Sequence, residues 1–397
     1  MMNTETSPFF IKPTAIVEPA TEPGAIKPTI YGVSKFKNIN AVTCYMNANL
    51  HILQMLPIFR DYIVSAEFRD VIMTKISSNM NPNKEELLKD HVVFELFRLF
   101  KASLENEDIM ITPTSFREVM GKKNDRWSEN QQQDSQEFFT ALICQLEEEV
   151  GIKSHFVPNF LDTYEQLDMD VNSALCNIIA TKSWERYQGK EYSPLKNLFN
   201  GMTMNTRVCS CCSMSNSVYE PFVTLSLSIP VKNMSDEFTI YDCIDNFVHT
   251  EQLDEDNKMN CDMCHLKNRG FSNIRLWRTP KILVIHLKRF LTNEYGIPTQ
   301  KINNNVKYPI TNLDLTKYFD ESSPYKNSSQ YDLIGVNIHH AFGMQRSINA
   351  GHYTALVKNH TNHNWYHYND SNPVERIMSA QQLQTERAYM LFYYRHN

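Results

Sequence analysis

The chain has 397 residues, 42% of them hydrophobic, and its 39 basic and 45 acidic side chains leave a formal charge of −6. A chain of that length and apolar content can bury a sizeable core, and 11% aromatic residues argue against a mostly disordered polymer. The mild acidity argues against neutralisation of phosphates as a working principle, so no nucleic-acid partner is expected.

Residues 1–30 carry Pro, Thr and Glu with little apolar periodicity (PTAIVEPATEPGAIKPT) and read as a flexible lead-in. Their opening, MMNTETSPFFIKPT, lacks the basic-then-apolar layout of a secretory signal. No apolar run in the chain approaches the ~18 residues that span a bilayer, so no membrane partner is expected. From Tyr31 the texture changes. Residues 44–56 (CYMNANLHILQML) place Met46, Leu50 and Leu53 on one helical face, with Thr43 as N-cap and Pro57 as the stop. Residues 92–104 (VVFELFRLFKASL) form a second amphipathic pattern. A third helix begins at Asp134, with Glu137 as a capping-box partner and Phe138, Leu142 and Leu146 facing inward.

The second half reads as strand. EPFVTLSLSIP, KILVIHLKRF, YDLIGVNIHH, GHYTALVK, WYHYND and AYMLFYYR are short, β-branched or aromatic, and separated by polar turns. Asp320–Gln330 reads as a Ser-rich surface loop. Helices early and strands late point to an α+β arrangement.

Four constellations carry chemistry. Thr43-Cys44-Tyr45-Met46-Asn47 puts a thiol at a helix start, where the dipole and free N–H groups favour a thiolate; an isolated cysteine is also commonly a buried structural residue. Gly351-His352-Tyr353-Thr354-Ala355 is followed by Asn369 and Asp370, so one strand can hold an imidazole and the next a group that fixes its tautomer. Among the 13 histidines, His339, His340, His360, His363 and His367 read as surface or core residues without a catalytic part. Gln132-Gln133-Asp134-Ser135-Gln136-Glu137 is a capped helix start whose amide and carboxylate groups can also hold an extended peptide. Nine cysteines without a signal do not read as a disulfide framework, and they suit a reducing intracellular compartment, cytoplasm or nucleus. Cys209-x-x-Cys212 with Cys261-x-x-Cys264 supplies the four thiolates of a structural zinc site, one ion per chain, at the tip of a long β excursion; Cys211 lies inside the first knuckle.

In this order and spacing the constellations resemble the catalytic domain of the ubiquitin-specific proteases, papain-like cysteine proteases that remove ubiquitin. The resemblance runs from about Tyr31 to Tyr394. It is carried by TCYMNANLHIL with PIFR, QQDSQEFF, the double knuckle with EPFVTLSLSIP, LKRF, AGHYTALVK, NWYHYND and AYMLFYYR. It implies a catalytic domain over 31–397 with a helical thumb holding Cys44, a β palm holding His352 and Asn369, and zinc-tipped β fingers over about 200–275. It also implies Cys44 as nucleophile, His352 as base and Asn369 as orienter through the His352 Nδ1–H, with Asp370 supporting catalysis or the oxyanion. Ubiquitin and ubiquitinated proteins are then the partners, and Gln132, Asp134 and Tyr353 contact the ubiquitin tail.

Two positions depart from the family pattern. The run before the cysteine is KNINAVTC, with Ile39 where an asparagine is expected; Asn40 is favoured as the replacement oxyanion donor, ahead of Asn38. His51 stands where a glutamine is expected and reads as a surface change. The altered run keeps open a second reading, a ubiquitin-binding module of the same fold with impaired catalysis.

Overall fold

A computed structural model describes residues 33–65, 68, 72, 89–106, 109–153, 171–189, 191–231, 233, 236–292, 298–341 and 351–396. The lead-in expected over 1–30 lies outside the described residues.

The first half is helical. Helix α1 (Cys44–Gln54) and α2 (Pro57–Val64) are followed by α3 (Val92–Glu105), α4 (Thr114–Lys123) and α5 (Ser135–Val150). Helix α1 ends at Gln54, ahead of Pro57 and the extended Leu56 before it, and Pro57 also opens α2 at the first helical position, where its missing N–H costs nothing. Every residue of α1 is buried, the polar ones included, because the helix is enclosed between α5 and the large sheet. Its polar side chains are tied down accordingly. The Asn49 amide donates to the Ser135 hydroxyl and carbonyl at 2.9 Å, and Gln54 accepts from the Ser103 hydroxyl at 2.9 Å.

His51 is a core residue and not a surface change. It is 1% exposed and lies between the rings of Phe36 at 4.6 Å and Tyr368 at 4.4 Å, and burial pushes its pKa down to about 3. Helix α3 has no cap bond from its own N-cap residue, His91. The Glu149 carboxylate of α5 accepts instead from the Val92 and Val93 N–H groups at 3.1 and 2.8 Å, which welds the two helices.

The second half is built on an eight-stranded sheet. Its labelled strands are β3 (Thr224–Ser228), β5 (Ile282–Lys288), β6 (Gln330–Ala341), β7 (Gly351–Lys358), β8 (Trp365–Tyr368), β9 (Glu375–Ile377) and β10 (Ala388–Arg395). Their order is β9-β8-β7-β6-β10-β5-β3, with the short strand Leu313–Asp314 beside β6. A separate four-stranded sheet carries β1 (Gly201–Val208), β2 (Ser215–Phe222) and β4 (Phe271–Arg278), with Glu251–Gln252 at its edge. Further helices, α6 (Val171–Gln188), α7 (Pro194–Phe199) and α8 (Ile240–Phe247), were not anticipated; α6 lacks a dominant apolar face.

One apolar cluster fills the space between the early helices and the large sheet, joining Met46, Leu50 and Leu53 to Val357 and Phe392. A second covers the opposite face of that sheet, where Ile285 and Leu287 of β5 join Val336 of β6 and Leu391 of β10. Phe138, Leu142 and Leu146 are wholly buried, as their spacing predicts. Glycine matters where α1 and the sheet press together: a Cβ on Gly335 would lie 2.8 Å from Ile52. Among the described residues no helix is long and apolar enough to cross a membrane.

Candidate active site

Cys44 is the first residue of α1 and is fully buried. Thr43 takes the N-cap position but does not cap with its side chain. Its hydroxyl turns back, accepting from the Ile39 N–H at 2.8 Å and donating to Asn38 Oδ1 at 3.3 Å. The electrostatics of the thiol differ from the sequence expectation. Burial pushes its pKa up to about 12, and the nearby Asp370 carboxylate adds to the rise. The backbone N–H groups of Tyr353, Tyr45 and Cys44 itself oppose the rise without cancelling it. The resting group is therefore a thiol, and it needs a base to take its proton.

The candidate base lies on β7. Helix α1 packs against β7, the strand that carries His352. His352 pairs in register with His340 of β6 and stays partly exposed. Its Nε2 lies 2.7 Å from Asn369 Oδ1, just beyond the end of β8. The nitrogen facing Asn369 is thus Nε2, not Nδ1, which leaves Nδ1 as the nitrogen free to receive a proton.

Asp370, next along, has φ of +49°, in the left-handed region. Its carboxylate lies 3.8 Å from His352 Nε2 and accepts from Asn38 Nδ2 at 2.9 Å and Asn47 Nδ2 at 2.7 Å. Burial raises its pKa, while the two amides and the imidazole work in the opposite direction.

The asparagine preference reverses in the structure. Asn40 and Ala41 both adopt positive φ, 53° and 58°, and this double turn takes up the altered run and leaves Asn40 exposed. Asn38 reaches the site instead: its Oδ1 accepts from the Thr43 N–H at 2.8 Å and its Nδ2 holds Asp370. Nearness in sequence to Cys44 was a poor guide because the chain folds back between them.

The glutamine box lies beside the same strand. Gln132 Oε1 accepts from the Gly351 N–H at 3.0 Å, anchoring the residue before His352. Gly351 has no room for a side chain, since a Cβ would meet His339 Nε2 at 2.2 Å. Asp134 caps α5, accepting from the Gln136 and Glu137 N–H groups at 2.7 and 2.8 Å, and also accepts from the Tyr389 hydroxyl. The carboxylate is 2% exposed, so no free acid faces the cleft from this position. Glu137 does not close a capping box; it pairs with Arg126 on the surface. Tyr353 is likewise 2% exposed, its ring against His339 at 4.6 Å and Tyr389 at 5.8 Å, so only its backbone reaches the site.

Sequence reasoning missed Asn47 and Arg289. Asn47 recurs three positions after Cys44, which a helical count would have flagged as the same face. Arg289 of LKRF is fully buried and donates to the carbonyls of Ala388, Ile302 and Asn304, a structural clamp on the sheet.

The cysteine knuckles come together as a group that could hold a metal ion. Cys209 and Cys212 turn between β1 and β2, while Cys261 and Cys264 lie in the hairpin between Met259–Asn260 and Lys267–Asn268. Their four sulfurs lie within 4.8 Å of one another, with Cys209–Cys264 at 3.8 Å and Cys212–Cys261 at 3.5 Å. A tetrahedron of about 2.3 Å metal–sulfur bonds has sulfur–sulfur edges of about 3.8 Å, so the four thiols fit one ion. Asn268 donates to Cys209 Sγ at 3.2 Å, an outer-sphere support, and Cys211 is exposed and outside the cluster.

The family model described as ubiquitin carboxyl-terminal hydrolase matches residues 35–393. The chain belongs to that family. Its members are cysteine-type deubiquitinating peptidases, which agrees with the thiol, imidazole and amide gathered here. A "Probable ubiquitin carboxyl-terminal hydrolase" of Acanthamoeba polyphaga mimivirus is 27% identical over 92% of this chain and 90% of its own length. Ubiquitin carboxyl-terminal hydrolase 2 of Rattus norvegicus is 30% identical over 91% of this chain, which spans only 54% of that relative. Among solved structures, the SAGA Ubp8/Sgf11/Sus1/Sgf73 DUB module bound to ubiquitin aldehyde superposes with a TM-score of 0.62 at 23% identity, covering 95% of this chain and 72% of that one. That similarity establishes the fold: the large sheet is the palm, the early helices the thumb, and the four-stranded sheet with the knuckles the fingers.

Proposed function

We propose that this hydrolase is an active thiol enzyme that cleaves the isopeptide or peptide bond after the C-terminal glycine of ubiquitin. The observation that carries the reading is the 2.7 Å contact of His352 Nε2 with Asn369, which turns Nδ1 free on a strand that packs against the helix opened by Cys44. In the first step His352 takes the thiol proton and Cys44 attacks the glycyl carbonyl, forming a thioester as the leaving amine takes that proton from the imidazolium. Water then hydrolyses the thioester with His352 again as base, releasing the ubiquitin carboxylate and the thiol. The Cys44 N–H at the helix mouth and Asn38 are the donors for the developing oxyanion, and Asn369 holds the ring.

Gln132, at the cleft beside Gly351, is the side chain assigned to the ubiquitin tail. Asp134 and Tyr353 support that wall from within. The four knuckle cysteines hold one structural zinc ion; a closed tetrathiolate set has no position for substrate, so the metal would stiffen the fingers and take no part in the reaction. The nine cysteines, all free thiols, suit a reducing compartment, so the protein is proposed to act in the cytoplasm or nucleus. The second reading, a ubiquitin-binding module with impaired catalysis, is favoured by one observation, the Asn38 amide already engaged by Asp370. Hydrolysis of a fluorogenic ubiquitin substrate separates the two: turnover that disappears in His352→Ala supports the enzyme, and binding without turnover supports the module.

A further inference from the structure

We propose that Asn47 is a positioning residue for this reaction: its amide fixes Asp370, and through it the strand end bearing Asn369, against the helix that carries Cys44. The inference rests on the reading of Cys44 as nucleophile. Asn47 lies three residues along α1 from the thiol and is 1% exposed. Its Nδ2 faces two acceptors, Asp370 Oδ1 at 2.7 Å and the Phe36 carbonyl at 3.3 Å, and this environment dictates which way the amide points. Its Oδ1 is buried without a hydrogen-bond partner among the described residues. An orphaned buried acceptor is costly, and an apolar side chain of similar shape would avoid that cost. What an apolar residue could not do is donate to Asp370.

Asp370 needs such a hold. Its positive φ is disfavoured for a residue with a side chain and persists where the surroundings over-determine it. Asn47 on α1 and Asn38 on the preceding loop grip its two oxygens from the nucleophile's side. From the other side, Asn369 is its chain neighbour and His352 Nε2 lies 3.8 Å away. The carboxylate is therefore the junction at which the nucleophile helix and the base-bearing strands are registered. A displacement of about 1 Å at such a junction can cost on the order of a hundredfold in rate.

The test is a double-mutant cycle on a fluorogenic ubiquitin substrate, using the full chain, Asn47→Ala, Asp370→Ala and the pair. Asn47→Ala is expected to lower kcat on the order of ten- to a hundredfold with KM within about twofold, and to add less than about twofold once Asp370 is already alanine. Parental kcat in Asn47→Ala, or the same fold-loss in both backgrounds, overturns the role. Should Asn47→Ala melt without a folded baseline, the exchange of partners is measured: Asn47→Asp is expected to lose kcat and to regain it when combined with Asp370→Asn. No recovery in the exchanged pair overturns the role as well. An inactive parent would refute the functional reading itself, whereas an active parent with additive losses refutes only Asn47.

Discussion

The Asn369 carboxamide oxygen sits 2.7 Å from His352 Nε2, one residue before a carboxylate, Asp370, that stands 3.8 Å from the same nitrogen. The closer group is neutral and the farther one is gripped by two amides, which is why the orienting role is proposed for Asn369. Asn369→Ala should therefore slow cleavage less than His352→Ala, because the base remains when its orienter is lost. Initial rates on a fluorogenic ubiquitin substrate check this. A larger loss in Asp370→Ala than in Asn369→Ala would move the orienting role to Asp370.

Asn38→Ala should lower kcat on the order of 10²–10³ with KM little changed, the pattern of a contact strengthened in the transition state. Asn40→Ala should stay near the parental kcat, since that residue is itself part of the double left-handed turn and its side chain is exposed. The same substrate, measured over a range of concentrations, separates the two variants.

Elemental analysis should find about one zinc per chain. Chelation or Cys212→Ser should lower the melting temperature and weaken ubiquitin binding together, as metal binding coupled to folding requires. Cys211→Ser should change neither, because that thiol lies outside the four-sulfur cluster.

Glu147 introduces a pH dependence far from the chemistry. Burial raises its carboxyl from 4.5 to about 7, while Asn200 and Lys196 oppose the rise. A carboxyl whose folded pKa is raised favours the fold while protonated; that advantage is lost as pH climbs from the unfolded value through about 7. Glu147→Gln should therefore flatten the fall in melting temperature between about pH 5 and 8 and leave the variant the more stable at the alkaline end. An unchanged slope would show that the carboxyl ionises without penalty.

Much of this was legible in the sequence, for identifiable reasons. Strands β7 and β10 match the runs GHYTALVK and AYMLFYYR residue for residue, because short β-branched or aromatic runs bounded by polar turns report directly on a sheet. The knuckles were legible because two-residue spacing between thiols has few other uses. What stayed hidden depended on contacts distant in sequence. The burial of His51 requires Tyr368 to be stacked on it, and the position of Asn38 requires Asp370, separated from it by 332 residues. The choice of Nε2 over Nδ1 follows from how β7 meets the end of β8. The protonated state of Cys44 follows from enclosure of α1, which outweighs the helix start that local reasoning weighed alone.

The central claim is that the Cys44 sulfur attacks the C-terminal carbonyl carbon of ubiquitin's last glycine with His352 as its base. The most direct measurement is incubation of the full chain with a ubiquitin probe bearing a thiol-reactive C-terminal group, followed by intact-mass and peptide analysis. The account predicts a one-to-one adduct on Cys44 that is absent in Cys44→Ala and strongly slowed in His352→Ala, while Cys44→Ala still binds ubiquitin. Ubiquitin binding without an adduct, or an adduct on another cysteine with Cys44→Ala still turning over substrate, would contradict it.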